Sequence, residues 1–377
     1  MAKKRMIVEA GPRARHDVQM RVPIGRAKKA KLIDEATKQP VPCQVVRGEL
    51  CWTVDHIPQG KDKAYILEPG RGSRLRIFGV EAKRRQQAID FIVCGRPFTT
   101  YNFGRQWARP FFHPVLGPDL VQVTRSYPID KGVPGETTDH EHHKSLWVAH
   151  GDVNGVDDWS ETRGHGRIVG RRIKEVLDGP IVAVVRHELD WVRNRGKRVV
   201  SEEREIRVYR TPPDQRMMDL IVTFKARDGK VTFGDTKEGG ICSVRVASSM
   251  DGSRGGTIEN SYGGIGEAET WGRRAVWCDY SGVVNGKLVG IAVFDTPGNL
   301  RYPTWWHVRD YGLMTANPFG ISHFAPDTGE CGDYELPKGK ELRFAYRIFI
   351  HMGDTVTARV RDKYHDYINP PRVRFER

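Results

Sequence analysis

Three histidines stand within four positions in Asp139-His140-Glu141-His142-His143, flanked by two carboxylates, and Trp147, His150, Asp152 and Asn154 follow closely. Imidazoles titrate near neutral pH and ligate metals through either ring nitrogen, so acid/base catalysis or metal binding is the chemistry this pattern offers. The surrounding stretch, residues 127–161, is punctuated by Gly and Pro and does not read as a packing element. On an extended segment His140 and His142 would share one face, opposite Asp139, Glu141 and His143; on a helical turn Asp139, His142 and His143 would cluster. His142 belongs to the functional set in either arrangement. A polar loop whose histidines merely hydrogen-bond carbonyls is the plainer alternative.

The elements that must position these residues are overwhelmingly strands. Residues 205–210 alternate polar and apolar, as a half-buried strand does, while 220–224 and 181–185 are β-rich apolar runs. Residues 342–350 read as a late strand. Asn285-Gly286 predicts a hairpin, because Asn-Gly suits the turn that matches strand twist, and Asp228-Gly229 gives a weaker signal of the same kind. Residues 354–367 predict a helix, with Asp354 as N-cap and Pro370 beyond its end. Before about Arg96, strand-like pieces at 43–46, 50–54, 65–68 and 75–80 predict a small N-terminal β subdomain, 1–95. It would pack on a larger antiparallel sandwich, 96–377, with the boundary near Gly95-Arg96-Pro97.

Composition limits the function classes. The chain has 377 residues, 38% hydrophobic and 29% charged, as a globular protein does, and no apolar run approaches the length that spans a bilayer. No secretory signal is visible, and the six cysteines are scattered with no CxxC pair; a cytoplasmic protein is expected. The net charge of +14 is spread over Lys28-Lys29, Lys83-Arg84-Arg85, Arg171-Arg172 and 193–198 with acids between, so no specific nucleic-acid partner is expected. There is no P-loop, dinucleotide fingerprint, GxSxG elbow or HExxH. Asp152-Val153-Asn154-Gly155 hints at a calcium loop but lacks the later ligands of that template.

The residues also carry a resemblance. Arg109-Pro110-Phe111-Phe112-His113-Pro114-Val115, Thr124-Arg125-Ser126-Tyr127-Pro128, the histidine cluster, His150-Gly151-Asp152-Val153-Asn154-Gly155 and Trp305-Trp306-His307-Val308-Arg309-Asp310-Tyr311-Gly312 resemble the bacterial family labelled "methane oxygenase PmoA", over roughly residues 95–352. The membrane methane monooxygenase which that label evokes is built from transmembrane helices. The resemblance implies instead a mainly β, antiparallel β-supersandwich, similar to galactose mutarotases and some polysaccharide lyases, which bind sugars in a cleft on one sheet.

The leading expectation is therefore a carbohydrate-active enzyme of epimerase or lyase type, taking a sugar or glycoside, anionic ones included, with no membrane partner and no required cofactor. Sugar chemistry without redox needs a base to remove a proton and an acid to return one. His142 and His140 are the foremost candidates, with His307 and Glu238. Arg125 and Lys144 would hold an anionic or carbonyl oxygen, and Trp306, His323 and Asn154 would complete a binding surface. Two alternatives stay open: a non-catalytic carbohydrate-binding protein, and a metal-dependent oxygenase in which His140, His142, His143 and Asp139 bind a divalent or transition metal.

Overall fold

A computed structural model describes residues 3–72, 78–193 and 196–376. Two large antiparallel sheets face each other. The first has nine strands in the order Arg273–Arg274, Trp305–Arg309, Leu313–Asn317, Gly239–Arg245, Leu146–His150, Phe111–Val115, Arg96–Asn102, Ala88–Val93 and Val80–Arg84. The second has eight: Arg167–Leu177, Val182–Val192, Arg198–Tyr209, Gln215–Lys225, Glu341–Met352, Lys287–Phe294, Trp277–Val284 and Thr257–Asn260. Side chains alternate across each strand, so one face of each sheet meets the other. Phe112, Val148, Val244, Trp306 and Met314 interdigitate there with Val185, Ile206, Leu220, Ile291 and Phe344. The fold is the expected β-supersandwich, and no helix among the described residues is long and apolar enough to cross a membrane.

A smaller unit accompanies the two large sheets. Its two sheets hold Lys4–Glu9, Ala30–Asp34, Pro40–Val41, Asp62–Pro69 and the late strand Arg372–Glu376 on one side, and Arg15–Pro23, Cys43–Val46 and Glu49–Ile57 on the other. Met6, Val8, Met20, Leu32, Trp52 and Leu67 fill its core. The boundary expected at 95 lies earlier, because Val80–Arg84 and Ala88–Val93 already belong to the nine-stranded sheet. Cys94-Gly95, with φ of 52° and 77°, is a hairpin turn inside that sheet rather than a linker. Of the piece expected at 75–80, residues 75–77 lie outside the described residues.

Two local expectations also shift. Asn285-Gly286 does join Trp277–Val284 to Lys287–Phe294, but the strand after Asp228-Gly229, Val231–Phe233, pairs with Tyr334–Leu336 instead of turning back. The helix begins at Val360, not 354. Asp354 Oδ1 accepts the Thr357 N–H at 2.7 Å, capping a preceding turn, and Arg359 at φ 55° separates that turn from the helix. Val360 and Tyr364 then pack on Phe294 and Phe349, on the outside of the eight-stranded sheet.

A buried ion pair lies under that helix. Arg347 donates to both Asp219 oxygens (2.6 and 3.0 Å), Tyr209 donates to the same carboxylate at 2.6 Å, and the guanidinium lies 4.4 Å from the centre of the Tyr367 ring. Removing one partner of such a pair leaves a buried charge without compensation. Asp219→Ala is expected to cost about 3–5 kcal/mol in urea unfolding, and Asp219→Ala with Arg347→Met to recover most of it.

Candidate functional site

The face of the nine-stranded sheet turned away from the core carries the predicted chemistry. Register aligns His307, Thr315, Ser243, Trp147 and Phe111 in one row across five neighbouring strands. A second row holds Arg309, Leu313 and Arg245. At Gly240 an added Cβ would fall 1.5 Å from Thr315 Oγ1, so glycine is what lets these strands seat that hydroxyl against Ser243 Oγ at 2.6 Å.

The loop between Phe111–Val115 and Leu146–His150 brings the histidine cluster to one end of the first row. Two wholly buried arginines anchor it. Arg125, in the loop, and Arg245, on the sheet, donate to Asp139 at 2.7 and 2.8 Å, and Arg125 also donates to the His140 carbonyl at 2.9 Å. Burial alone would push the Asp139 carboxyl up, but Arg245, His140 and Arg125 hold it well below the usual carboxylate range. Burial, and then Arg245, draw Arg125 down to about 10.

The cluster itself is neither extended nor helical. His143 N–H donates to the His140 carbonyl at 3.0 Å, closing a turn with His140 at φ 46°, a left-handed conformation that a non-glycine residue adopts at a cost. The turn gathers all three rings. His140 lies 4.8 Å from His143, 5.7 Å from His142 and 4.8 Å from Tyr311, and His143 stacks on Trp147 at 5.3 Å. His140 Nδ1 meets Asp139 Oδ2, and an ionised carboxylate only accepts, so Nδ1 carries a proton. Burial, then Arg109, pull His142 down to about 4, and burial takes His143 well below the ordinary imidazole value.

A second clamp lies beneath. Glu161 accepts from Arg109 (2.8 Å) and Lys144 (2.5 Å), and Arg109 also donates to the His142 carbonyl at 2.9 Å. Burial and Arg109 lower Lys144 to about 8, with Glu161 opposing. Lys144 is thus committed to a buried carboxylate, and Arg125 to Asp139; both position the loop rather than present a free cation.

At the other end of the row, His307 Nδ1 sits 2.8 Å from the Lys237 carbonyl, which fixes the proton there and leaves Nε2 without a hydrogen-bond partner among the described residues. Burial lowers this ring to about 4, and the neighbouring Glu238 opposes that shift. Three strand spacings separate His307 from Trp147, roughly 14 Å. Tyr311, on the hairpin between Trp305–Arg309 and Leu313–Asn317, packs with the histidine cluster, beside Trp147 and Leu313. It is half-buried, with the Arg245 and Arg309 guanidinium carbons 4.8 and 5.6 Å from its ring centre. Burial raises its hydroxyl to about 12. Gly312 makes this turn possible: φ is 96°, and a Cβ would fall 2.5 Å from Asp251 Oδ1.

Other expectations change. Trp306 points into the core, fully buried with Nε1 donating to the Ala275 carbonyl at 2.9 Å, so it is no sugar platform. Its neighbour Trp305 is the one on the outer face, packed with Ile321 and Phe324. Asn154 is occupied structurally, accepting the Thr232 N–H at 2.7 Å and donating to the Lys230 carbonyl. His323 is exposed on the short helix Ile321–Phe324, and no contact brings its ring to the row. No three His, Cys, Asp or Glu side chains among the described residues are arranged to hold a metal ion. The reason is geometric: His140 and His143 lie face to face in planes 7° apart, where in-plane lone pairs do not converge, and Asp139 is taken by two arginines.

Sequence reasoning missed Arg245, Tyr311, Arg109 and Glu161 as parts of the site. An arginine ending the apolar run Gly-Gly-Ile-Cys-Ser-Val-Arg was the available signal for Arg245. Unpartnered buried polar atoms crowd here as well, among them Trp147 Nε1, Trp159 Nε1, Arg125 Nε, Arg245 Nε and Asp251 Oδ1. Such atoms are uncommon and mark places worth a functional explanation.

A model described as a family of unknown function (DUF6807) matches residues 88–365. No curated protein matches the chain in sequence. Among solved structures, the chain is similar to a protein in the glycosyl hydrolase family 38 from Enterococcus faecalis, at 9% identity and a TM-score of 0.45, over 100% of this chain and 47% of that one. It is similar also to an alpha-mannosidase from Enterococcus faecalis V583 (9%, TM-score 0.46, 100% and 46%) and to a galactose mutarotase related enzyme from Lactobacillus acidophilus (8%, TM-score 0.32, 73% and 98%). The chain spans about half the length of the first two.

Trp306→Ala is expected to lower stability by about 3–5 kcal/mol, as large core truncations do. Ligand affinity of the folded fraction should not change, and a specific loss of sugar binding at full stability would return Trp306 to the site.

Proposed function

For this chain, which belongs to the DUF6807 family of unknown function, we propose an enzyme that acts on a sugar or glycoside by proton transfer, of epimerase or lyase type. The observation that carries the reading is the pair of oriented imidazoles on one sheet face: His140 held by Asp139, with the Tyr311 ring stacked on it, and His307 held by the Lys237 carbonyl. Each imidazole is oriented through one nitrogen, and His307 keeps a lone pair on the other, as a general base requires.

His307 Nε2 takes a proton from the sugar, from a hydroxyl in epimerisation at the anomeric centre or from carbon in elimination. Tyr311 returns a proton to the oxygen that gains charge, the ring oxygen in the first case and the leaving oxygen in the second. Solvent water returns a proton to Tyr311 and takes the one held by His307, closing the cycle, and the Arg245 and Arg309 cations beside the Tyr311 ring favour the transient phenolate. His142 lies next to His140, and Glu238 lies beside His307. The metal-oxygenase alternative finds no converging donor set in this cluster.

A panel of aldoses, uronates and glycosides, followed by polarimetry for epimerisation and by ultraviolet absorbance for an unsaturated product, tests the reading. His307→Ala and Tyr311→Phe should each cut turnover by about 10²–10⁴-fold in folded protein. With His307 as base, kcat/KM should fall as pH drops through about 4, where the ring becomes protonated, and stay level above pH 8 with Tyr311 as acid. An alkaline limb near 8 would overturn the assignment of Tyr311 as the acid. Sugar binding with no turnover on any substrate would make the chain a binding protein instead.

A further inference from the structure

A second place in the molecule has the chemistry of a ligand site. Where the small unit meets the sandwich there is a crevice of about 330 Å³, at the small end of the range for ligand pockets. Asp17 and Asp55 line it from the small unit, and Arg96, Arg210, Thr211 and Arg216 from the sandwich.

The three arginines are the unusual feature. Arg216 is 2% exposed, yet its Nη1 donates only to the carbonyls of Pro212, Pro213 and Gln215, and its Nε has no partner. Arg210 Nε is likewise buried without a partner. Neither of these guanidiniums, nor that of Arg96, forms an ion pair among the described residues, in a protein where most buried arginines do. Burial holds the Arg216 guanidinium below its ordinary value, as expected for a cation removed from water without compensation. A buried charge in that state is satisfied by an anion, and the planar guanidinium fork fits a carboxylate or phosphate in two parallel hydrogen bonds. The opposite wall has the complementary need. Asp17 reaches only Lys363, at 3.9 Å, and Asp55 is exposed without an ion pair among the described residues, so both can accept hydrogen bonds from hydroxyl groups.

We propose that this crevice binds a small anionic sugar, with its acidic group on Arg216, Arg210 and Arg96 and its hydroxyls on Asp17 and Asp55, joining the small unit to the sandwich. The site is separate from the histidine row and independent of the reaction proposed there.

Titration calorimetry of the full chain with glucuronate, with glucose and sulfate as controls, tests it. Glucuronate should bind, Arg216→Gln should weaken it roughly tenfold or more, and Arg96→Gln, at an exposed position, should weaken it severalfold with the unfolding midpoint unchanged. His140→Ala should leave this affinity unchanged, which keeps the result distinct from any failure of the proposed enzyme activity. The proposal is overturned if glucuronate does not bind, if its affinity survives both arginine variants, or if His140→Ala abolishes it. Sulfate binding as tightly as glucuronate would also overturn the sugar assignment.

Discussion

One carboxylate holds the site together. Asp139 compensates two guanidiniums that are both removed from water, Arg125 on the loop and Arg245 on the sheet. Without it two like charges would face each other in a medium that screens them poorly. Because Arg125 also binds the His140 carbonyl and Arg245 lies against Tyr311, this single group couples the histidine turn to the strand below and to the hairpin beside it. The left-handed backbone at His140 persists because the same contacts over-determine it.

Glu161 plays the parallel part for Arg109 and Lys144, so each of the two carboxylates that anchor the loop is shared between two buried cations. That imbalance has a chemical result. Positive surroundings and burial both oppose protonation, which keeps His142, His143 and His307 neutral at ordinary pH. The arrangement makes bases of imidazoles without placing a carboxylate beside each one.

Much of this could be read from the chain, and the rest depended on register. Strands such as Arg198–Tyr209 and Gln215–Lys225 are legible because a period of two is a local property. The histidine cluster is legible because its composition is unusual. The alignment of His307 with Thr315, Ser243 and Trp147 is not, since it arises from pairings between strands distant in sequence. Alternation says that Trp305 and Trp306 face opposite ways, but which face meets the core is decided by the partner sheet. Cys94-Gly95 shows a related ambiguity: a tight turn inside a sheet and a break between units use the same punctuation.

The small unit is closed by strands from the two extremes of its sequence. Arg5 reaches Glu376, 371 positions away, and Lys4–Glu9 pairs along its length with Arg372–Glu376. During synthesis the first of these strands leaves the ribosome long before its neighbour exists, with one edge unpaired. Lys4, Arg5 and Glu9 on that edge are the kind of charged residues that discourage pairing with a stranger. The continuous sandwich can fold in the interval, so Arg372–Glu376 docks beside a sandwich already formed and completes the sheet that Lys4–Glu9 started.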